Sequence, residues 1–302
     1  MVHVEPRALT QPMPGGGSDG TTVVVEPLKV GDVIFPAESL ESTGGRLADL
    51  RAVGIGVPRS RWPRVPCPAF LIRHPSAGPF VVDTGLHPSI TAKPSANFGR
   101  LAARVARPRL APGEDLPAQL RARGLDPKGL RLVVMTHLHL DHSSGMSEFP
   151  AANFVLTEAE WRFATTVRRP ILHGYRPAHY DYAFDYRTLS YDRRGIESYS
   201  TFGRTFDLFG DGSVRLVSLP GHTPGHQGVL CRLRDRDFLI AGDAIYTHGQ
   251  LTDRPPAPRP EDPHTYRRSL LELRLFHRQF PQAVITPGHD HEFWPTLDER
   301  YE

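Results

Sequence analysis

Four side chains of the kind that bind metal ions stand within six positions of this chain, directly after an apolar run. The stretch MTHLHLDHSS, residues 135–144, follows LRLVV and contains His137, His139, Asp141 and His142. The apolar run predicts a buried strand. Because alternate residues of an extended chain face the same side, the first two histidines can converge on one cation. Asp141 and His142 follow after a turn, which suits a second cation a few ångströms away.

Three later strands end in residues of the same kind. LPGHTPGHQ places His222 after the strand VRLVS, LIAGDAIY ends an apolar strand at Asp243, and AVITPGHD ends another at His289. A glycine precedes each of these residues, and glycine lets the backbone turn sharply near a ligand. The sequence therefore predicts that four strands deliver metal-binding side chains at their carboxyl ends.

The remaining patterns predict a layered α/β fold. FLIRHPSAGPFVVDTG indicates two strands joined by a turn at 75–78, and a short helix leads into the strand 130–135. A strand and a helix follow, and Thr157 and Glu160 stand at capping-box spacing where that helix begins. The last helix begins near Asp262 and leads into a final strand. This order favours two sheets sandwiched between helices.

The composition and the Pro/Gly-rich N-terminus predict one domain with an N-terminal tail. With 39% hydrophobic residues among 302, the chain can bury a sizeable core. The Pro/Gly-rich N-terminus predicts a flexible tail over 1–20, and residues 21–302 then form a single catalytic domain. An aromatic-rich segment at about 165–200 lacks clean periodicity and is predicted to be an irregular insertion. Cys67 and Cys231 are far apart and form no thiolate metal motif.

Charge and hydropathy limit the expected partners. No stretch approaches the roughly 20 apolar residues of a membrane span, and the N-terminus does not resemble a signal peptide. We therefore expect a cytoplasmic protein with no membrane partner. The net charge of +3 comes almost entirely from arginine, and no dense basic run stands out. This pattern favours solvated surface arginine rather than nucleic-acid binding.

Taken together, the motifs resemble the metallo-β-lactamase superfamily, from about Val24 to the C-terminus. The resemblance implies the four-layer αββα metallo-β-lactamase sandwich and a site for two divalent metal ions. It implies that one metal is bound by His137, His139 and His222, the other by Asp141, His142 and His289, with Asp243 bridging both. Imidazole with carboxylate suits Zn²⁺, while Fe, Mn or Co remain alternatives.

Further residues are candidates to support these ligands. Asp83 in VVDTG is expected to orient a ligand histidine, although an aspartate before Thr-Gly also favours a turn. His226 and Gln227, after the third histidine of the first metal, are open candidates for the same role.

Within the superfamily, the chain is most similar to the N-acyl homoserine lactone lactonases, which are quorum-quenching enzymes. The matching motifs are THLHLDH, GHTPGHQ, GDAIY and PGHD. The resemblance implies that a metal-bridging hydroxide attacks the lactone carbonyl while Tyr246 donates a hydrogen bond to the developing oxyanion. It also implies that Asp141 binds metal and carries the proton to the leaving ring oxygen.

The aromatic-rich insertion offers side chains for an apolar wall that accepts an acyl chain, since ligand pockets are mostly apolar. A dimer contact or a self-packed loop is the alternative. The candidate pocket residues are Leu140, Ile171, Tyr175, Tyr180, Tyr182 and Phe184, with Tyr186 beside them. His173 and His179 lie in the same segment and are not expected to bind metal. The segment 38–66 is a candidate for the rim.

Other activities of the same fold remain alternatives. A metal-dependent arylesterase or phosphotriesterase is the main rival, because only the pocket walls distinguish it from a lactonase. A glyoxalase II-like thioesterase is disfavoured because the sequence continues for only thirteen residues after His289. A nuclease would need a basic arm, which the segment 165–200 does not supply. The expected partner is a small-molecule lactone or ester, and the protein is expected to be a monomer or a homodimer.

Overall fold

The strands of the computed structural model, which describes residues 4–42, 44, 45 and 47–302, fall into two sheets. The first sheet has the spatial order β1-β7-β6-β5-β4-β3-β2. Its strands are β1 (Arg7–Ala8), β2 (Val24–Ile34), β3 (Arg64–His74), β4 (Gly78–Val82), β5 (Leu132–Val134), β6 (Asn153–Thr157) and β7 (Asp185–Leu189). Strands β2, β3 and β4 pair antiparallel, and β4 to β7 pair parallel.

The second sheet has the order β13-β12-β11-β10-β9-β8. Its strands are β8 (Glu197–Tyr199), β9 (Phe202–Asp207), β10 (Val214–Ser218), β11 (Gln227–Arg232), β12 (Asp237–Gly242) and β13 (Val284–Pro287). All pairs are antiparallel except β12 with β13, which is parallel. The helices are α1 (Ala37–Leu40), α2 (Ala48–Ala52), α3 (Pro94–Phe98), α4 (Arg100–Ala106), α5 (Leu116–Ala122), α6 (Leu140–Ser143), α7 (Glu158–Thr166) and α8 (Pro263–Gln279).

Alternation along the strands divides the core into three layers of apolar contacts. Phe70 and Ile72 of β3 face the second sheet, whereas Leu71 between them faces the helices of the first sheet. This alternation is the two-residue period of a strand whose two faces are both covered. On the other side of the molecule, Leu270 and Leu273 of α8 pack on the outer face of the second sheet. The four-layer αββα sandwich is therefore confirmed.

The N-terminal segment differs from the flexible tail predicted for 1–20. Arg7 and Ala8 pair in parallel with β7, and the side chain of Leu9 is buried between the sheets. The Met13 N–H donates to the carbonyl of Leu208, 2.7 Å away. The local Pro/Gly content did not predict this order, because the segment pairs with distant residues at a sheet edge. Such pairing leaves no periodic signal in the sequence.

The segment 165–200 also differs from the irregular insertion that was predicted. It contains β7, which completes the parallel part of the first sheet, and β8, which forms the edge of the second. Tyr175, Tyr180 and Tyr186 are fully buried and belong to the core on the helical side of the first sheet. The irregularly spaced aromatic side chains of this segment therefore pack a connecting segment onto the first sheet. In the part of the chain that the structure describes, no helix is long and apolar enough to cross a bilayer.

Candidate metal centre and active site

The predicted ligands lie together at one edge of the sandwich. Strand β5 ends at Val134, the chain bends at Thr136, and His139 directly precedes the one-turn helix α6. His222 follows β10, Asp243 follows β12 and His289 follows β13. The structure thus brings together all seven side chains that the sequence singled out, from four strand ends.

Three imidazoles converge in the first group of ligands. His222 Nε2 lies 3.0 Å from Nδ1 of His139 and 3.3 Å from Nε2 of His137. Asp243 completes this group, with its Oδ2 3.3 Å from Nε2 of His222. The H-x-H pair thus presents Nε2 of His137 and Nδ1 of His139 to this group. Gly174 lies against the far side of that ring, where a Cβ would come within 2.9 Å of the ring carbon Cδ2.

The second group contains Asp141, His142 and His289. Nε2 of His289 lies 3.4 Å from Oδ2 of Asp141 and 3.2 Å from Oδ2 of Asp243. Oδ1 of Asp243 lies 3.4 Å from Nε2 of His142. The carboxylate of Asp243 therefore reaches both groups, which is the position expected of a bridging ligand.

The polar atoms at the centre fit divalent cations. Nε2 of His142, Oδ2 of Asp141 and Oδ1 of Asp243 are buried and have no hydrogen-bond partner. Buried polar atoms without partners are costly, and a cation shared among them removes that cost. Imidazole nitrogens with carboxylate oxygens are a donor set that suits Zn²⁺ and related divalent ions.

Burial keeps the first group of histidines in the form that binds metal. It lowers the pKa of His137 and of His222 well below the usual value, and it lowers the pKa of His139 to about 4. Burial also opposes the charged form of His142, but Asp243 and Asp83 outweigh it and raise the pKa of that imidazole. A bound cation replaces the proton that these carboxylates would otherwise attract.

Asp83 holds His142 in place. Its Oδ2 accepts hydrogen bonds from Nδ1 of His142 at 2.8 Å and from the hydroxyl of Thr136 at 2.7 Å, while its Oδ1 accepts from the Thr136 N–H. The backbone of Asp83 is left-handed, with φ of 57°, a conformation that costs a non-glycine residue energy. These contacts leave Nε2 of His142 free to face the centre.

Two more ligands are oriented by single hydrogen bonds. Nδ1 of His289 donates to the carbonyl of Pro66 at 3.0 Å, which directs Nε2 inward. Nε2 of His226 accepts from the N–H of Asp243 at 3.0 Å, so His226 supports the backbone of that aspartate. Gln227 instead donates to the carbonyl of Met135 and does not touch the centre.

Glu160 is a contributor that the sequence analysis missed. Its side chain is fully buried and accepts from the Leu138 N–H at 2.9 Å, the Tyr175 hydroxyl at 2.8 Å and the Thr223 hydroxyl at 2.6 Å. Burial raises the pKa of this carboxyl, and the hydrogen bonds oppose that rise. Glu160 thus ties the H-x-H segment to the turn that carries His222.

The spacing Thr157-x-x-Glu160 explains why Glu160 was assigned to helix capping alone. The Thr157 hydroxyl does accept from the Glu160 N–H, as predicted for the cap of α7. The glutamate side chain, however, points away from the helix end and toward the metal centre. A buried carboxylate can be found from its contacts in the fold, and no local pattern marks it.

Tyr246 lies over the centre on the opening side. Its ring contacts the imidazoles of His222 and His289, with ring centroids 5.5 and 5.4 Å apart, respectively. Its hydroxyl lies 3.4 Å from Nδ1 of His222, and the side chain is half-buried. A phenol that is so close to the ligands and still reachable by solvent can donate to a small molecule bound there.

The structure places two of the predicted wall residues, Ile171 and Tyr175, at one cavity. This cavity has a volume of about 310 Å³, and the ring of Tyr175 contacts that of His139. Four of the other candidates do not line this cavity. Tyr180 is buried with its hydroxyl on the Ala164 carbonyl, Tyr182 and Phe184 stack on each other, and Leu140 packs partly against the core and donates its N–H to Gly174.

The rest of the cavity wall comes from two segments. Residues 98–102, which include Phe98 and Leu101, carried no sequence signal for binding, whereas Pro170 and residues 176–177 belong to the predicted insertion. Of the segment 38–66, predicted as a rim, Pro66 of β3 reaches the metal centre, since its carbonyl accepts from His289; residues 43 and 46 of that segment lie outside the described residues. His173, which was not expected to bind metal, instead pairs with Glu261 at 2.7 Å.

The comparisons with known proteins agree with this arrangement. Residues 62–289 match the family described as the metallo-beta-lactamase superfamily. The N-acyl homoserine lactonase AttM of Azorhizobium caulinodans is 31% identical over 77% of this chain and 85% of its own length. The N-acyl homoserine lactonase AiiB of Agrobacterium fabrum is 30% identical over 79% of this chain and 84% of its own length.

Solved structures show the same fold. An N-acyl homoserine lactone hydrolase with the product N-hexanoyl-L-homoserine bound at its catalytic metal centre superposes with a TM-score of 0.71. It is 21% identical, and the match covers 92% of this chain and 97% of that one. The dizinc quorum-quenching lactonase AidC matches with a TM-score of 0.57 at 14% identity, over 94% of this chain and 92% of its own. On the match of residues 62–289 and on the relatives' identity, this chain belongs to the metallo-beta-lactamase superfamily and is a metal-dependent hydrolase.

Proposed function

We propose that the protein opens the lactone ring of N-acyl homoserine lactones, or of closely related lactones, with two divalent metal ions, for which the donor set best suits Zn²⁺. The observation that carries this proposal is the pair of ligand groups that share Asp243, with the Tyr246 hydroxyl beside them. Relatives named as N-acyl homoserine lactonases at about 30% identity support the same substrate class.

The ligand assignment follows the two groups. His137, His139 and His222 would hold one ion, and Asp141, His142 and His289 would hold the other, with Asp243 shared. Divalent ions bound in this way supply activation of water near neutral pH and polarisation of a carbonyl oxygen. Asp83, His226 and the Pro66 carbonyl fix the ligand side chains beforehand, so that little reorganisation is needed on binding.

Two residues would act on the substrate directly. The Tyr246 hydroxyl would donate a hydrogen bond to the carbonyl oxygen as negative charge develops on it. Asp141 would bind an ion through one carboxylate oxygen; the other would take up the proton released by the attacking water and deliver it to the ring oxygen when the C–O bond breaks. The ring-opened product then leaves as a hydroxy acid.

The cavity beside the centre would hold the acyl chain. Tyr175 lines the cavity and its ring also contacts that of His139, so the Tyr175 side chain lies between the cavity and the first ligand group. Its volume of about 310 Å³ lies at the small end of the usual range for ligand pockets. Phe98, Leu101 and Ile171 give the wall the apolar character that an alkyl chain requires.

A substrate panel tests the proposal. The metal-loaded protein is incubated with acyl homoserine lactones, simple γ- and δ-lactones, aryl esters and a phosphotriester, and acid release is followed in a pH-stat. We expect the acyl homoserine lactones to turn over with the highest kcat/KM, and the Tyr246→Phe variant to lose most of that rate. No lactone opening together with rapid turnover of the aryl ester or phosphotriester would contradict the proposal.

A further inference from the structure

The positive charge of this chain is concentrated in two segments that the fold brings together. Neither 93–113 nor 161–180 contains an aspartate or glutamate. Their basic residues are Lys93, Arg100, Arg104, Arg107, Arg109, Arg162, Arg168, Arg169 and Arg176. Since the whole chain has a net charge of only +3, the remainder carries more acidic than basic side chains. No single run in the sequence is dense enough to show this cluster.

The two segments meet around the mouth of the acyl cavity. Residues 98–102 line one side of it, and residues 170–171 and 175–177 line the other. The guanidinium of Arg176 contacts Gly99, where a Cβ would lie 2.8 Å from Nη1. The charges of both segments therefore act on the same surface of the molecule.

This surface also exposes three large apolar side chains to solvent. The exposed fraction is 62% for Leu101 and 44% for Val105 on α4, and 66% for Leu172 on the facing segment. We call the surface formed by these three residues and five of the exposed arginines of the two segments the cationic apolar face. The arginines are Arg100, Arg104, Arg107, Arg168 and Arg169.

The arginines of this face have no carboxylate partners. Among the described residues, each of the five lacks a carboxylate oxygen within the 4 Å distance of an ion pair, whereas Arg7, Arg204 and Arg254 elsewhere on the surface have one. Unpaired guanidinium groups beside exposed leucines can bury their aliphatic stems in an apolar medium while their charged ends contact anionic groups.

From these features we propose that the cationic apolar face docks peripherally on the surface of an anionic lipid bilayer. The lipid headgroups would neutralise the arginines, and Leu101, Val105 and Leu172 would enter the boundary between headgroups and acyl chains. A second copy of the chain fits this face poorly, because it would bring two sets of unpaired arginines together. The acyl cavity opens on the same face, so a bilayer-dissolved amphiphile would reach the cavity without crossing water.

Vesicle binding tests the proposal without reference to catalysis. The full-length metal-loaded protein is sedimented with vesicles of phosphatidylcholine alone, and with vesicles of equal parts phosphatidylcholine and phosphatidylglycerol. Each arginine held at an anionic surface strengthens binding by roughly fivefold. We therefore expect at least about tenfold tighter binding to the anionic vesicles, which falls steeply as salt is raised. Equal binding to the two kinds of vesicle, or none to either, would overturn the proposal.

Matched variants locate the contact. Val105→Glu/Leu172→Glu and Arg104→Gln/Arg168→Gln change exposed residues of the face that do not line the cavity, and each is expected to weaken anionic-vesicle binding about tenfold or more. Leu271→Glu/Leu275→Glu, at exposed positions of α8, serves as the control and should bind as the wild type does. Circular dichroism verifies that all variants fold.

Two outcomes would contradict the assignment of this face. An equal loss of binding in the α8 control would mean that another surface or general charge is responsible. Sedimentation of the wild type as a dimer that Val105→Glu/Leu172→Glu dissociates, without vesicle binding, would show that the face is a subunit interface instead.

Discussion

Asp243 is the residue whose carboxylate reaches both ligand groups. Its two oxygens lie 3.2 to 3.4 Å from histidines of both groups. We expect Asp243→Asn to retain less than half of the metal of the wild type, because the amide presents one oxygen and no charge to two cations. Metal analysis after gel filtration measures this directly. Asp253→Asn, an exposed change, is the control, and an unchanged metal content in Asp243→Asn would contradict the bridging role.

Tyr246 is predicted to act in the chemical step. Removal of its hydroxyl in Tyr246→Phe should lower kcat for lactone opening by about 10²-fold, since loss of one oxyanion donor costs that much in other hydrolases. KM and metal content should change little, because the ring contacts with His222 and His289 remain. Steady-state kinetics with one lactone decide the matter. A rise in KM at constant kcat would assign Tyr246 to binding alone.

Glu160 is predicted to position ligands without touching substrate. In Glu160→Gln the amide can no longer accept all three hydrogen bonds from Leu138, Tyr175 and Thr223. We expect metal affinity to fall about 10- to 100-fold, as is typical when a group that orients ligands is changed. Competition with a chromophoric chelator measures affinity independently of turnover.

A neighbouring glutamate on the same helix provides the control for Glu160. Glu158 stands two positions earlier, and its side chain is half-buried, with its carboxylate 3.9 Å from the guanidinium of Arg193. Glu158→Gln should therefore keep the metal affinity of the wild type. Equal losses in both variants would indicate damage to α7 as a whole.

At the scale of elements, the connection between α7 and β7 combines packing with recognition. Buried tyrosines fix this connection on the first sheet, while Ile171 lines the cavity. We expect Ile171→Glu to lower kcat/KM for long-chain acyl homoserine lactones and to leave that for a butanoyl chain nearly unchanged. The reason is that a carboxylate in the cavity wall disfavours burial of the far methylene groups of a long acyl chain, which a butanoyl chain lacks. An equal loss of kcat/KM for both substrates would show that the acyl chain does not bind against Ile171.

Sequence patterns predicted those elements whose residues carry a local signal. Apolar periodicity and the residues typical of element ends identified the strand before H-x-H-x-D-H. They also identified the strands that precede His222, Asp243 and His289, and the helix that begins after Asp262. Strand β1 and strand β7 were missed, because each depends on pairing with distant residues. Local patterns cannot encode such pairing.

The same limit applies to the candidate site. The ligands could be identified because histidines and aspartates are rare at buried strand ends and stand out in sequence. Glu160, the Pro66 carbonyl and the cavity residue Phe98 act through contacts that exist only in the fold. Tyr180, Tyr182 and Phe184 were assigned to the pocket on composition alone, and the structure uses them for packing.

For the whole molecule, metal binding and stability should be coupled. The two sheets meet where the ligands lie, and several ligand atoms are buried without partners. Ions bind the folded state only, so a metal present at 100 times its dissociation constant adds about 2.7 kcal/mol of stability. We expect chelation to lower the Tm by several degrees and Zn²⁺ to restore it, as followed by circular dichroism. A Tm that is independent of chelator would contradict this coupling.

Titration of Zn²⁺ into the metal-free protein, with lactone opening and bound metal measured in the same samples, tests the central claim most directly. Two ligand groups that share Asp243 predict that the rate of N-acyl homoserine lactone opening rises until two equivalents are bound per chain and then levels off. Full activity at one equivalent would contradict the dinuclear site. Binding of two equivalents without any lactone opening would contradict the proposed reaction.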